Sequence, residues 1–241
     1  MANSERSFRD REEKARDLMN AIAGFTPAFV PADVALSIVN FTTLVGQASS
    51  LNTSVEGLSG TYTTDSATRG ALIKTVKERV TQALSYIKSN KAWASSFKAA
   101  KMAADKLRGV SPPKPNVPVP PPEGGVSPAE EKSRNKGEQA YVELAAHFGK
   151  FIAACSGAAG YAPPATVISL GTLNALLSQL RSLNEGLSSQ GALLTKAQMQ
   201  RQILYYGENG LEEKFQSAKA AVKGQYGQAS ANYAVVKGMK W

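Results

Sequence analysis

Apolar residues recur along this chain at the spacing of a helix that buries one face. The clearest run starts just after Pro31 and advances in steps of three, four or seven residues. Its members are Val34, Ile38, Phe41, Val45, Ala48, Val55 and Leu58. Such a heptad pattern is typical of helices that pack side by side in bundles. Alternating apolar and polar runs are too short to predict strands.

The same pattern returns 132 residues further along the chain. Phe29 and Pro31 correspond to Tyr161 and Pro163, and the pair Leu51-Asn52 corresponds to Leu183-Asn184. The apolar run is repeated by Leu170, Leu173, Leu177, Leu180 and Leu187. Because the offset is constant, the pattern indicates an internal duplication and not a shared composition.

Further helical stretches flank this repeated helix in each copy. A first helix is predicted from a cap at Ser4 to about Gly24, and its counterpart from Ser127-Pro128. A third helix follows the apolar positions Ile73, Val76, Val80, Ala83 and Ile87, and its counterpart follows Leu204, Leu211, Phe215, Ala218 and Val222. A fourth helix carries Trp93, Phe97, Ala100, Ala104 and Leu107, and a short counterpart carries Tyr233, Val236 and Trp241.

Glycine-rich stretches predict where the chain turns between the second and third helices. These stretches are Gly57 to Asp65 in the first copy and 188–191 in the second. Short links of this kind join antiparallel neighbours. The sequence therefore predicts an up-down bundle of three or four helices in each copy.

A proline-rich segment, residues 111–126, separates the two copies. Seven of the eleven residues from Pro112 to Pro122 are proline, which excludes both helix and central strand. The prediction is a polyproline strut that holds the bundles apart or lies in a groove of a neighbouring subunit. The predicted fold is all-α, with duplicated bundles at 1–110 and 127–241 joined by this linker.

Charge and cysteine content narrow the class of protein. The formal net charge is +9, and the excess of Lys and Arg is shared between the two copies. This charge suits an anionic partner, although charge also keeps an ordinary protein soluble. A single cysteine, Cys155, excludes an internal disulfide. We expect a cytoplasmic protein because no signal peptide or membrane span is evident, with signal-independent export left open.

Catalytic signatures are not evident in the sequence. His147 is the only histidine, and it lies eight residues from Cys155, too far for a catalytic pair on one helix. The adjacent carboxylates at Glu12-Glu13, Glu130-Glu131 and Glu212-Glu213 diverge on a helix. Residues 157–160 have the glycines, but not the lysine, of a phosphate loop. We predict no catalytic residue, no metal site, no cofactor and no enzymatic activity.

Basic and aromatic residues cluster in the final helices of each copy. Together they are a candidate surface for an anionic partner or an interface. The candidates are Lys91, Trp93, Lys98, Lys101, Arg108, Lys219, Lys223, Tyr233, Lys237 and Trp241. In the alternative interpretation, the aromatic rings belong to the core and the lysines form a solvated face.

The repeat unit resembles uncharacterised bacterial proteins built of tandem helical hairpins. The resemblance is carried by the aromatic-x-Pro at 29–31 and 161–163, the aliphatic-Ser-aliphatic at 36–38 and 168–170, and the two Leu-Asn pairs. It implies a helical fold, and it implies no activity and no site residues.

A structural or interaction protein is the function that these observations favour. Two similar bundles offer two equivalent surfaces, as a homo-oligomer or filament needs, and another protein is the other candidate partner. The alternative function is binding to nucleic acid or a membrane surface. That alternative includes a toxin-like bundle whose residues 151–177 insert into a bilayer.

Overall fold

The computed structural model describes residues 2–109 and 136–241, and it is helical wherever it describes the chain. No strand occurs within these two ranges. The α-helices are α1 (Ala2–Ala23), α2 (Ile38–Ser89), α3 (Ala94–Arg108), α4 (Lys136–Ser156), α5 (Leu170–Tyr206), α6 (Leu211–Tyr226) and α7 (Ala231–Lys237). Short 3₁₀ turns at Val34–Leu36 and Thr166–Ile168 precede α2 and α5. The predicted all-α class is confirmed.

Helices α2 and α5 run without a break through the two predicted turns. Residues 57–65 lie inside α2 and residues 188–191 lie inside α5, so both predicted hairpins are wrong. A glycine within a helix costs only about 1 kcal/mol relative to alanine, and no proline interrupts either stretch. The buried positions continue on both sides of the glycines, from Val55 to Ile73 and Val76.

Helix ends show smaller differences from the sequence-based prediction. Helix α1 begins at Ala2, so Ser4 lies inside it and is not its cap. Val34 belongs to a 3₁₀ turn and is 73% exposed, outside the core where the apolar run placed it. The linker at 111–126 and the predicted helix start at Ser127-Pro128 lie outside the described residues.

The chain divides into two compact units that do not coincide with the two sequence copies. Unit 1 comprises Met1–Tyr62 with Gln190–Trp241, and unit 2 comprises Thr63–Ser189. Because α2 and α5 do not turn back, each contributes one part to unit 1 and the other part to unit 2. The prediction of one bundle for 1–110 and another for 127–241 is therefore not confirmed.

The core of unit 1 is built from α1, the start of α2, the end of α5, α6 and α7. Its buried apolar residues include Leu18, Ile22, Phe41, Val45, Ala48, Leu211, Phe215, Ala218 and Val222. Unit 2 uses the equivalent pieces, which are α4, the start of α5, the end of α2 and α3. Its buried apolar residues include Phe148, Ile152, Leu173, Leu177, Leu180, Val76, Val80, Ala83 and Ile87. Most positions of the predicted apolar runs are thus confirmed as core.

A four-residue break in the second copy changes the offset between equivalent positions. Helix α5 ends at Tyr206 and α6 begins at Leu211, whereas α2 stays continuous at the corresponding place. A Cβ at Gly207 would lie 2.5 Å from the carbonyl oxygen of Ile203, and Asn209 has a positive φ of 60°. The buried 4-3-4 spacing of residues 76–87 is preserved in residues 211–222, but 135 residues away.

Truncating a repeated core leucine should destabilise the fold strongly. Leu187 on α5 is 1% exposed, and Leu187→Ala is expected to lower the free energy of unfolding by about 2–5 kcal/mol. Leu193→Ala on the same helix is the matched control, because Leu193 is 55% exposed. Urea denaturation measures both variants, and equal losses would contradict the described packing.

Candidate functional site

The ten candidate surface residues are divided between the two units. Lys91, Trp93, Lys98, Lys101 and Arg108 belong to unit 2, and Lys219, Lys223, Tyr233, Lys237 and Trp241 belong to unit 1. Of these, Lys91, Lys98, Lys101, Lys223 and Lys237 are exposed.

Several of these ten residues make contacts that hold their own unit together. The Trp93 indole donates to the carbonyl oxygen of Ala159 at 2.9 Å, and the Trp241 ring lies against Tyr205 and Phe215. These aromatic side chains are half-buried, as the core interpretation of the sequence expects.

Three of the basic side chains have partners within their own unit. Lys101 pairs with Asp105 at 2.8 Å, and Arg108 donates to the hydroxyl of Thr81 at 2.8 Å. Lys219 donates to the backbone carbonyls of Lys237 and Met239. These contacts use cations that a phosphate-binding surface would leave available.

Cys155 and His147 do not form a reactive pair. Both lie on α4, with the Cys155 side chain fully buried and His147 half-buried. Burial raises the pKa of the Cys155 thiol to about 12. A thiol is nucleophilic as the thiolate, so this cysteine is inert in the folded protein.

A buried polar network in unit 1 escaped the sequence analysis. The side-chain nitrogen of Asn52 donates to Glu12 and to the hydroxyl of Tyr205, each at 2.8 Å. That hydroxyl in turn donates to the carbonyl oxygen of Phe8 at 3.1 Å. Glu12 is almost completely buried, and its charge is balanced by Arg16 at 2.6 Å and Arg9 at 3.2 Å.

Two members of this network neighbourhood have equivalents in unit 2. Asn184 stands 132 residues after Asn52 and donates to the carbonyl oxygen of Tyr141 at 3.1 Å. Two buried arginines are related by the same offset, and each lies over an aromatic ring of its unit's first helix. Arg201 lies 4.0 Å above the Phe8 ring, and Arg69 lies 3.7 Å above the Tyr141 ring.

These buried polar groups tie helices together and form no reaction centre. Asparagine and arginine contact the first helix of the unit, α1 or α4, in both units. In each unit the asparagine comes from one sequence copy and the arginine from the other. A buried charge is stable only when it is paired, which makes these contacts specific to one register. The repeated Leu-Asn pair was the available sequence signal, although its role was not evident.

Unit 1 carries an open groove between α2 and α5. Its volume is about 790 Å³. The lining residues are Thr43, Gly46, Gln47, Ser50, Leu51, Gln200, Ile203 and Leu204. None of them is charged, and the side chain of Ile203 is 66% exposed. The groove offers apolar surface with a few amide and hydroxyl groups.

Unit 2 carries a groove at the equivalent positions. It has a volume of about 490 Å³, and all six of its lining residues correspond to lining residues of the unit 1 groove at the 132-residue offset. They are Thr68, Leu72, Ser178, Gln179, Ser182 and Leu183. Four of the six keep the residue type, namely Leu72, Gln179, Ser182 and Leu183. The paired grooves are the candidate functional site, and sequence analysis missed them.

Chemical and comparative observations add no second candidate. In residues 2–109 and 136–241, no group of three or more His, Cys, Asp or Glu side chains is placed to hold a metal ion. Among the helices of the described ranges, none has the length and apolarity to cross a bilayer. Comparison with protein-family models, curated proteins and solved structures gave no match.

Removing the Tyr205 hydroxyl should destabilise unit 1. In Tyr205→Phe, the buried amide of Asn52 and the carbonyl of Phe8 each lose a partner, which is expected to cost about 1–3 kcal/mol. Tyr206→Phe, on the neighbouring half-buried ring, is the control and should cost less than about 0.5 kcal/mol. Chemical denaturation with matched m-values tests the difference, and a loss confined to Tyr206→Phe would refute the network.

Cys155 should make stability fall at alkaline pH. The unfolded thiol ionises near pH 9, whereas the folded thiol stays neutral to about pH 12. Its contribution is fully present below pH 9 and is lost as the pH rises towards 12. Between pH 9 and 10 the expected loss is about 1 kcal/mol.

Cys155→Ala should flatten this pH slope even though it lowers stability overall. Urea titrations between pH 8 and pH 10 are the measurement. Ellman's reagent gives an independent check, since the native thiol should react only on unfolding. Rapid modification of the folded protein would contradict the buried position.

Proposed function

We propose that the protein is a non-enzymatic structural protein that assembles with itself through its helix faces. The observation that carries this proposal is the pair of equivalent, uncharged grooves, one in each unit. A groove that recurs at equivalent positions, with four of six residue types kept, is not expected of an incidental surface depression. Two such surfaces on one chain suit a homo-oligomer or filament.

The distribution of polar groups supports an interaction role. The buried carboxylate, amide, phenol and guanidinium groups of unit 1 are engaged with each other and with the backbone. An active site instead needs a reactive group that faces space for a substrate. The grooves provide space, but their lining offers only amide, hydroxyl and apolar groups.

The repeated burial pattern supports the duplication. Phe41, Val45 and Val55 are buried, and so are Leu173, Leu177 and Leu187 at the equivalent positions. A duplicated chain in which each unit combines both copies presents every surface element twice. Such a chain can associate at two places without any further domain.

Binding to nucleic acid or a membrane surface is the second candidate function. It is supported by the net charge of +9 and by the exposed lysines at positions 91, 98, 223 and 237. Uncharged grooves do not favour it, because phosphate is recognised mainly by Lys, Arg and amide donors. The two functions respond oppositely to salt, which gives a direct test.

Self-association should be visible as a mass that rises with concentration. We expect species heavier than the 25.5 kDa chain in sedimentation velocity, and we expect them to persist at high salt, because apolar contact is not screened. Retention on heparin should instead be lost as salt rises. A strict monomer at every concentration, or tight heparin binding that survives physiological salt, would overturn the proposal.

A further inference from the structure

The groove of unit 1 contains both a protrusion and a hollow. Ile203 projects from α5 with 66% of its surface exposed. On the facing part of α2, Gly46 has no side chain, and no atom lies within 4 Å of the place where a Cβ would stand. Thr43 and Ser50, one helical turn to either side, are also small. The patch therefore offers a knob and a hole of helix-packing size.

A patch that holds both a knob and a hole can pair with itself. In a two-fold dimer the same surface is used by both chains, so any residue that protrudes must meet a recess of the same patch. Ile203 and Gly46 meet this condition in unit 1. Gln47 and Ser50 beside them carry groups that can hydrogen-bond to the same groups of a second copy.

Charge gives an independent reason to place a second copy here. The chain carries a net charge of +9, so two copies repel each other over most of their surface. From Ile38 to Val55, helix α2 has no Asp, Glu, Lys or Arg, although 47 of the 241 residues are charged. Exposed residues of this stretch, such as Val39 and Thr43, form an uncharged surface on which a second basic chain can approach.

The equivalent groove of unit 2 lacks the same self-complementarity. Ser178 occupies the position of Gly46, so the recess is shallower, and Ala71 occupies the position of Ile203, so the knob is missing. Arg181 also lies on this part of α5. Two copies have less reason to pair through unit 2.

We propose that a second copy of this chain docks on the groove of unit 1, with Ile203 of each copy seated over Gly46 of the other. This inference rests on the proposed self-assembly and specifies the contact that produces it. It commits to a closed dimer through one groove. A different occupant would leave the purified chain monomeric.

Gly46→Leu is the test variant, because it should block the dimer without harming the monomer. The space around Gly46 is open, and replacing a helical glycine removes a helix-weakening residue. Its melting temperature should therefore stay the same or rise. In the dimer the added side chain fills the recess that Ile203 needs, and the dissociation constant should rise about ten- to hundredfold.

Three further variants complete the design. Gly57→Leu is the matched control, since Gly57 lies on the same helix with open space and outside the groove, and it should leave the dissociation constant unchanged. Ser178→Leu makes the corresponding change in unit 2 and should also have no effect. Ile203→Ser removes the knob itself and should weaken the dimer as Gly46→Leu does.

Sedimentation equilibrium on the full chain, with circular dichroism to verify folding, distinguishes the outcomes. A wild-type monomer at all concentrations overturns the proposed self-assembly and this inference together. Association that is equal in Gly46→Leu and Gly57→Leu overturns the inference and leaves self-assembly intact. Weakening by Ser178→Leu alone moves the interface to unit 2 and also overturns it. Loss in Gly46→Leu and Ile203→Ser alone is the expected result.

Discussion

Continuity of α2 and α5 is the constraint on which the arrangement of both cores depends. A helix cannot reverse direction unless its hydrogen-bond ladder is broken, and Gly57, Gly60 and Gly191 do not break it. The residues before and after these glycines therefore enter different compact units. Each core must then be completed by helices of the other sequence copy, since half of its own copy lies elsewhere.

Buried polar contacts give this exchange its specificity. Apolar packing alone tolerates many registers between helices of similar pattern, because leucine and valine positions recur every few residues. Asn52 and Arg201 act differently, since each requires a particular partner on the first helix of the unit. A mismatched register would strand a buried amide or guanidinium group at a cost of several kcal/mol. Asn184 and Arg69 make the corresponding contacts in unit 2.

Local pattern predicted the helices and much of the core, but it could not predict the partners. Val45 and Leu177 were assigned to core faces from spacing alone, and both are buried. The turns at Gly57 and Ser188 were wrong because glycine and serine are equally compatible with a loop and with an exposed helix face. The grooves were beyond reach for a different reason. They exist only because Leu204 lies near Leu51, which is a long-range contact that depends on α5 being unbroken.

The two grooves also indicate how a duplicated chain can separate its surfaces. Equivalent positions keep leucine, glutamine and serine, so the groove is a property of the repeat. The differences fall at the two positions that set its relief, where Gly46 and Ile203 of unit 1 stand against Ser178 and Ala71 of unit 2. A larger wall combined with a smaller floor changes the shape without adding charge. Because a self-pairing surface requires matched relief, these two substitutions are enough to give one copy of a shared groove a partner that the other does not fit.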